Sequence, residues 1–307
     1  MLYNGTMGSG LTIVGLGEAL WDVLPGGTVL GGAPLNVVCH VHRLLGKRGQ
    51  GVVVSRVGTD ALGDEVLQSL ASRGMTTDYV QRDARHATST VNVALEGGQP
   101  TYMFAPDIAW DHLEFTPDWA TLAARCDAVC YGTLAQRSPQ SRAAIWQFLD
   151  AAPQAARLFD VNLRQGFYDR EAIVEGCRRA TIVKLNEHEL PIVADWLDLS
   201  AHGVDAQLAA MQRSLGLASV VYTRGKRGTL LMTADGAIDV PAATYPPAPN
   251  ADAVGAGDAC TAGIVVGWLT GATAARTAEL ANELGAYVAS QPGATPELPV
   301  AITASID

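Results

Sequence analysis

Residues 252–259 read Asp-Ala-Val-Gly-Ala-Gly-Asp-Ala, and the chemistry they allow is specific. Gly255, Ala256 and Gly257 are small enough for backbone N–H groups to crowd around an anion. The apolar run that follows predicts a helix whose positive end faces the same point. A phosphate suits that cradle. Asp258 would repel a phosphate as a ligand, so its task is to accept a proton from whatever group attacks the phosphorus. Phosphoryl transfer is the chemistry this spacing describes.

Such a turn needs a scaffold, and the rest of the chain supplies a repeating one. Strands are predicted at 12–16, 51–55, 128–131, 157–161, 181–185 and 219–223, with helices at 34–45, 63–72, 140–151 and 187–196. This β-α-β alternation predicts an α/β fold: a mostly parallel sheet covered on both faces, with ligands at the carboxyl ends of the strands. Two segments break the rhythm, about 21–30 and 87–104. They read as extended pieces with turns at Gly26-Gly27 and Gly97-Gly98, and are expected to form a small β lid. Residues 246–249, rich in proline, form a tight loop leading toward the 252–259 turn. One large domain over 1–307, with the lid segments inserted in it, is expected.

Composition narrows the function classes. Of 307 residues 48% are hydrophobic and 17% charged, enough apolar material for a packed core. With 21 Lys+Arg against 31 Asp+Glu the net charge is −10, which disfavours nonspecific binding to nucleic acid or anionic lipid. A small anionic ligand therefore needs a local basic pocket. The five cysteines form no CxxC pair and read as reduced thiols. The first ten residues lack the basic and apolar regions of a secretion signal, and no apolar stretch has the length of a membrane span, so the cytoplasm is expected.

Three common nucleotide signatures are incomplete. After Gly15 and Gly17 the third glycine of a dinucleotide fingerprint is replaced by Leu20, which marks down an NAD-dependent oxidoreductase. Neither Gly46-Lys47-Arg48 nor Gly225-Lys226-Arg227 has the glycine spacing or the following Ser/Thr of a Walker loop. The protein-kinase signature set is absent.

Five segments in order resemble another design: GGAPLNV at 31–37, DVNLR at 160–164, KLNEHE at 184–189, TRGKRG at 223–228 and DAVGAGDA at 252–259. Over nearly the whole chain the sequence resembles the ribokinase-like (PfkB) carbohydrate kinases, and GEALWDVLP at 17–25 is most similar to bacterial fructokinases. The resemblance implies a three-layer α/β/α fold with a β lid, ATP and Mg²⁺ as cofactors, and a sugar as acceptor.

Residue roles follow from chemistry and resemblance together. Gly31 and Gly32 permit close backbone approach, Pro34 suits a first helical turn, and Asn36 offers an amide at the helix start. Taken alone, this is as well an ordinary tight turn. The resemblance implies that Gly31, Gly32 and Asn36, with Asp22, contact sugar hydroxyls. Asn186 and Glu189, three apart at a helix entrance, would organise Mg²⁺ through its waters, although the same segment also reads as a capped helix start. Thr223 and Gly225, at the end of a strand, are implied in ATP binding with Asn186, Gly255 and Gly257, while the neighbouring basic side chains are as readily solvated. Arg164 either engages substrate or phosphate, or pairs with Asp160. His40 and His42, two apart on a helix, share no face and are poor metal ligands.

Ala253 departs from the family's common Thr. This bears on a K⁺ site for which Asp252 and the carbonyls of Val254 and Gly293 are candidates; Asp252 otherwise caps the helix or anchors the loop. Fructose is the first expectation for the sugar, with ribose, a nucleoside or 2-keto-3-deoxygluconate as alternatives and Tyr102 and Phe104 as pocket-shaping candidates. A non-catalytic sugar-sensing protein on the same fold is a separate class, disfavoured by the retained Asp258. Lid edges predict a homodimer.

Overall fold

The computed structural model describes residues 10–24, 27–96 and 99–304. In chain order the strands are β1 (Leu11–Leu16), β2 (Leu20–Leu24), β3 (Gly27–Gly31), β4 (Gly49–Gly58), β5 (Val80–Asp83), β6 (Ser89–Glu96), β7 (Gln99–Phe104), β8 (Ala128–Gly132), β9 (Ala156–Asp160), β10 (Ile182–Asn186), β11 (Ser219–Thr223), β12 (Thr229–Thr233) and β13 (Gly236–Val240). The main sheet runs β13-β12-β11-β10-β9-β8-β1-β4-β5. Its pairs are parallel from β5 through β11, and antiparallel only where β12 and β13 extend one edge.

Period-two alternation along these strands separates two cores. Ile13, Ala128, Leu158, Ile182 and Val221 face the layer that includes Val38, Leu44, Ile264 and Leu284. Val14, Val129, Phe159, Val183 and Val220 face Trp119, Ile145, Phe148 and Met211. A sheet buried on both faces needs near-continuous apolar strands, and these have them. The chain therefore has the expected three-layer α/β/α architecture. The helix Ala256–Leu269 is apolar all round because it lies between the helices Ala33–Leu45 and Ala274–Ala289.

The lid is a second sheet, ordered β3-β2-β6-β7. It joins the two segments that broke the rhythm: β2 pairs antiparallel with β3 and parallel with β6, which pairs antiparallel with β7. The predicted turns involve Gly26, Gly97 and Gly98, which lie outside the described residues, as does the side chain of Tyr102.

Several expected boundaries change. The helix predicted over 187–196 spans only Leu190–Trp196, because Pro191 has no N–H and must stand in the first turn. Asn186 therefore ends β10, and Glu189 precedes the helix. The helix predicted from 63 begins at Ala61, capped by Asp60, whose carboxylate accepts from the Gly63 N–H at 2.8 Å. All five cysteines are buried and unpaired, and burial pushes Cys126 and Cys177 up to about 12, so these are inert thiols. Among the described residues no helix is long and apolar enough to cross a membrane.

Candidate active site

Asp258 is the third residue of the helix Ala256–Leu269 and is buried. Gly255 precedes the helix in a left-handed conformation, φ 76°, and a Cβ there would stand 2.5 Å from the Ala294 carbonyl oxygen. Only glycine meets both conditions. The helix has no side-chain cap. Among the described residues the N–H groups of Gly255, Gly257 and Asp258 make no hydrogen bond, whereas the Ala256 N–H turns back to the Ala253 carbonyl at 3.3 Å. Two of the three expected amides are thus open, and Asp258 contributes a third. Orphan amides at a helix N-terminus are an anion site in waiting.

The carboxylate is held from the neighbouring helix. Asn36 Nδ2 donates to Asp258 Oδ2 at 2.9 Å, while Asn36 Oδ1 is buried with no partner. Burial raises Asp258 to about 6, assisted by the Asp160 charge and opposed by the Asn36 hydrogen bond, Lys184 and Arg164. Beneath it, Lys184 Nζ on β10 donates to Asp160 Oδ2 on β9 at 2.8 Å, and Thr261 Oγ1 donates to the same oxygen at 2.7 Å. Asp160 thus pairs with Lys184 and not with Arg164, whose described hydrogen bond is to the neighbouring Leu163 carbonyl.

Across from Asp258 stands the lid. Asp22 on β2 lies over the end of β3, with Oδ2 only 2.5 Å from where a Cβ on Gly31 would be. Gly32 has φ 110°, and a Cβ there would meet the Glu18 carbonyl oxygen at 2.3 Å. Burial raises Asp22 to about 6, against the pull of Arg164. Glu18, Asp22, Asn36, Arg164, Gly255 and Asp258 share the wall of one cavity of about 510 Å³, a volume suited to a small ligand. Phe104 also lines it, and its ring meets Phe167 edge-on.

The cation candidates converge on the same cavity. Asp252 Oδ1 accepts from the Val254 N–H at 2.9 Å and Oδ2 from the Gly293 N–H at 3.0 Å, so Asp252 anchors both loops while Val254 and Gly293 stand beside it. Asn186 and Thr223 are register partners at the ends of β10 and β11, outside the cavity lining, and Gly225 opens the exposed turn beyond. Glu189 is buried; its oxygens accept from the Leu163 N–H at 3.0 Å and the Asn186 N–H at 2.7 Å. Asn186 Oδ1 accepts from the amides of His188 and Glu189. These two side chains staple the strand ends, and a hydrated cation would use their remaining lone pairs. Arg224 pairs with Asp239 and Arg227 with Glu187, so neither is a loose phosphate ligand.

Sequence reasoning missed Glu18. It lies just past β1, 4% exposed, with Oε1 accepting from the Ala33 N–H at 3.2 Å and Oε2 buried without a partner. Burial raises it to about 7. Lys184, Asp160 and Thr261 were missed as a unit. For Lys184 the signal was a charge inside an otherwise apolar strand.

A model of the pfkB family carbohydrate kinases matches residues 26–301. Fructokinases of Salmonella typhimurium and Klebsiella pneumoniae are 31% and 30% identical over 304 residues, each covering 92% of this chain and 95% of the relative. Among solved structures, a fructokinase of Xylella fastidiosa with bound ATP superposes with TM-score 0.80 at 23% identity, over 96% of this chain and 97% of the other. A Vibrio cholerae fructokinase double mutant with fructose, ADP and potassium ion bound gives 0.78 at 23%, over 97% and 99%. The chain belongs to the pfkB family and is a carbohydrate kinase.

Glu18 has a consequence for stability. Its ordinary value is 4.5 and its folded value about 7, so its contribution is full below pH 4.5 and lost as pH rises through 7. Glu18→Gln removes this loss. The variant should gain stability over wild type between pH 4.5 and 8, by the order of 3 kcal/mol, read from urea midpoints at each pH. A difference independent of pH would refute the buried acid.

Proposed function

We propose that the protein is a fructokinase that transfers the γ-phosphoryl group of ATP to a primary hydroxyl of fructose. One observation carries this reading: Asp258, held by Asn36, shares a cavity with the open amides of Gly255 and Gly257 and with Asp22 and Arg164. In this mechanism Asp22 and Asn36 Oδ1 accept hydrogen bonds from sugar hydroxyls and fix the reacting one near Asp258. Asp258 takes its proton as that oxygen attacks the γ-phosphorus, and ADP departs in line. Charge gathering on the transferred group faces the amides of Gly255, Gly257 and Asp258. Mg²⁺, which shields phosphate charge when bound, would sit near Asn186 and Glu189 through water; Thr223 and Gly225 border the nucleotide. The lid excludes water from the site.

The Salmonella typhimurium and Klebsiella pneumoniae relatives are fructokinases, and the cavity's acceptors suit a polyol. A second reading has its own observation: Arg164 is exposed, with no carboxylate partner among the described residues, and a sugar acid such as 2-keto-3-deoxygluconate offers one. Ribose and nucleosides lack that group.

ADP release across fructose, ribose, a nucleoside and 2-keto-3-deoxygluconate tests the assignment. Fructose should be fastest, with kcat/KM rising with pH through about 6 as Asp258 ionises. Asp258→Asn should lower kcat by roughly 10²–10⁴. A wild-type rate in that variant sinks the base; no turnover on any sugar turns the reading to a sugar-sensing protein. The K⁺ site of Asp252, Val254 and Gly293 predicts higher activity in K⁺ than in a bulky organic cation, and equal rates would remove it. The open edges of β3 and β7 support a homodimer through the lid. Light scattering should give twice the chain mass; a monomer ends that proposal.

A further inference from the structure

Two histidines and an aspartate that phosphoryl transfer leaves unused meet at the base of the lid. His86 lies between β5 and β6, while Asp107 and His112 follow β7. Asp107 Oδ1 is 2.8 Å from His112 Nε2 and 3.8 Å from His86 Nε2. The far side of each ring is engaged: His86 Nδ1 is 2.9 Å from Asp83 Oδ2, and His112 Nδ1 is 3.3 Å from Gln140 Oε1. Those oxygens accept from the tautomer that carries its proton on Nδ1, which leaves Nε2 as a metal-binding atom. In that tautomer both Nε2 lone pairs face the Asp107 carboxylate, whereas the other tautomer of His112 donates to it at 2.8 Å. One ligand atom from each of the three side chains lies within 4.8 Å of the others, close enough to share a cation.

We propose that His86, Asp107 and His112 bind a divalent transition metal of the zinc class, which pins the base of the lid. The N–O separations bracket the edge of roughly 3.3 Å that a tetrahedron with bonds of about 2.0–2.1 Å requires. Two imidazoles and one carboxylate select zinc, cobalt or nickel over Mg²⁺ and Ca²⁺, which favour all-oxygen shells. Asp83 and Gln140 stand where the outer partners of metal-bound histidines stand; Asp83 is itself fixed by Arg56 at 2.7 Å. Asp107 has a left-handed backbone, φ 54°, that aspartate tolerates. The rings are stacked, centroids 3.6 Å apart at 13°, and splay when the ion enters. A cavity of about 450 Å³ beside Asp107 and His112 leaves room for a water as fourth ligand.

The position gives the site its purpose. The hairpin β6–β7 leaves the body after His86 and returns before Asp107. One ion bonded to both flanks ties the exit to the return, and so limits the travel of the lid over the sugar.

Titration of the full chain with Zn²⁺, in buffer containing Mg²⁺, tests this by calorimetry, with the Co²⁺ visible spectrum reporting tetrahedral nitrogen ligation. One equivalent should bind, with slower amide exchange in peptides spanning 86–112. His86→Ala and His112→Ala should each weaken binding at least tenfold, and Gln140→Ala, which keeps all three ligands, by about tenfold. Asp258→Asn should bind as wild type does, separating this site from the sugar cavity. No uptake by wild type, as expected if a proton alone bridges the triad, or unchanged uptake by His86→Ala/His112→Ala, overturns the site. Uptake lost in those variants without slowed exchange in wild type overturns the pinning.

Discussion

A buried ion pair underlies the reactive end of this molecule. Burial alone would push the Lys184 ammonium down, but Asp160 beside it holds it above its ordinary value, so the pair stays charged. The Thr261 hydroxyl, from the second turn of the helix that carries Asp258, donates to the same Asp160 oxygen as Lys184, while Asp160 Oδ1 is buried with no partner among the described residues. Two central strands are thereby fastened to the helix that carries Asp258. The same pair sets the field at that carboxylate: Asp160 makes its ionisation harder and Lys184 makes it easier.

Around this anchor the cavity collects acids. Glu18, Asp22 and Asp258 all stand above their ordinary values, chiefly from burial, and Arg164 pulls each of them down. An acidic chain thus sets one exposed cation, Arg164, among three carboxyls instead of lining the pocket with positive charge. In the proposed mechanism anion recognition falls instead to backbone amides, whose partial charges need no counterion.

The parallel sheet and the lid were legible because their signals are local: apolar runs of strand length, and two segments out of rhythm. The helix predicted from 187 overran its start, since Pro191 decides where the first turn can stand. The Asp258 turn was legible because glycine at 255 permits the left-handed turn and close backbone approach that leave amides open beside an acid. Glu18 was not. It looks like any loop acid until Ala33, fifteen residues on, brings its amide from the next helix. The Lys184–Asp160–Thr261 unit joins residues distant in sequence, and only the sheet order makes them adjacent.

The parallel pairing of β2 with β6 matches Leu20 with Ser89 and Asp22 with Val91. A hairpin could zip from its own turn, but β3, β4 and β5 lie between the two strands of this ladder in the chain. Long-range contacts of this kind form late, because loop-closure entropy must be met before they bring any return. Asp22 thus stands on a strand whose parallel neighbour comes from a distant part of the chain. The wall that carries Asp22 is therefore built from contacts distant in sequence, unlike the local turn before Asp258.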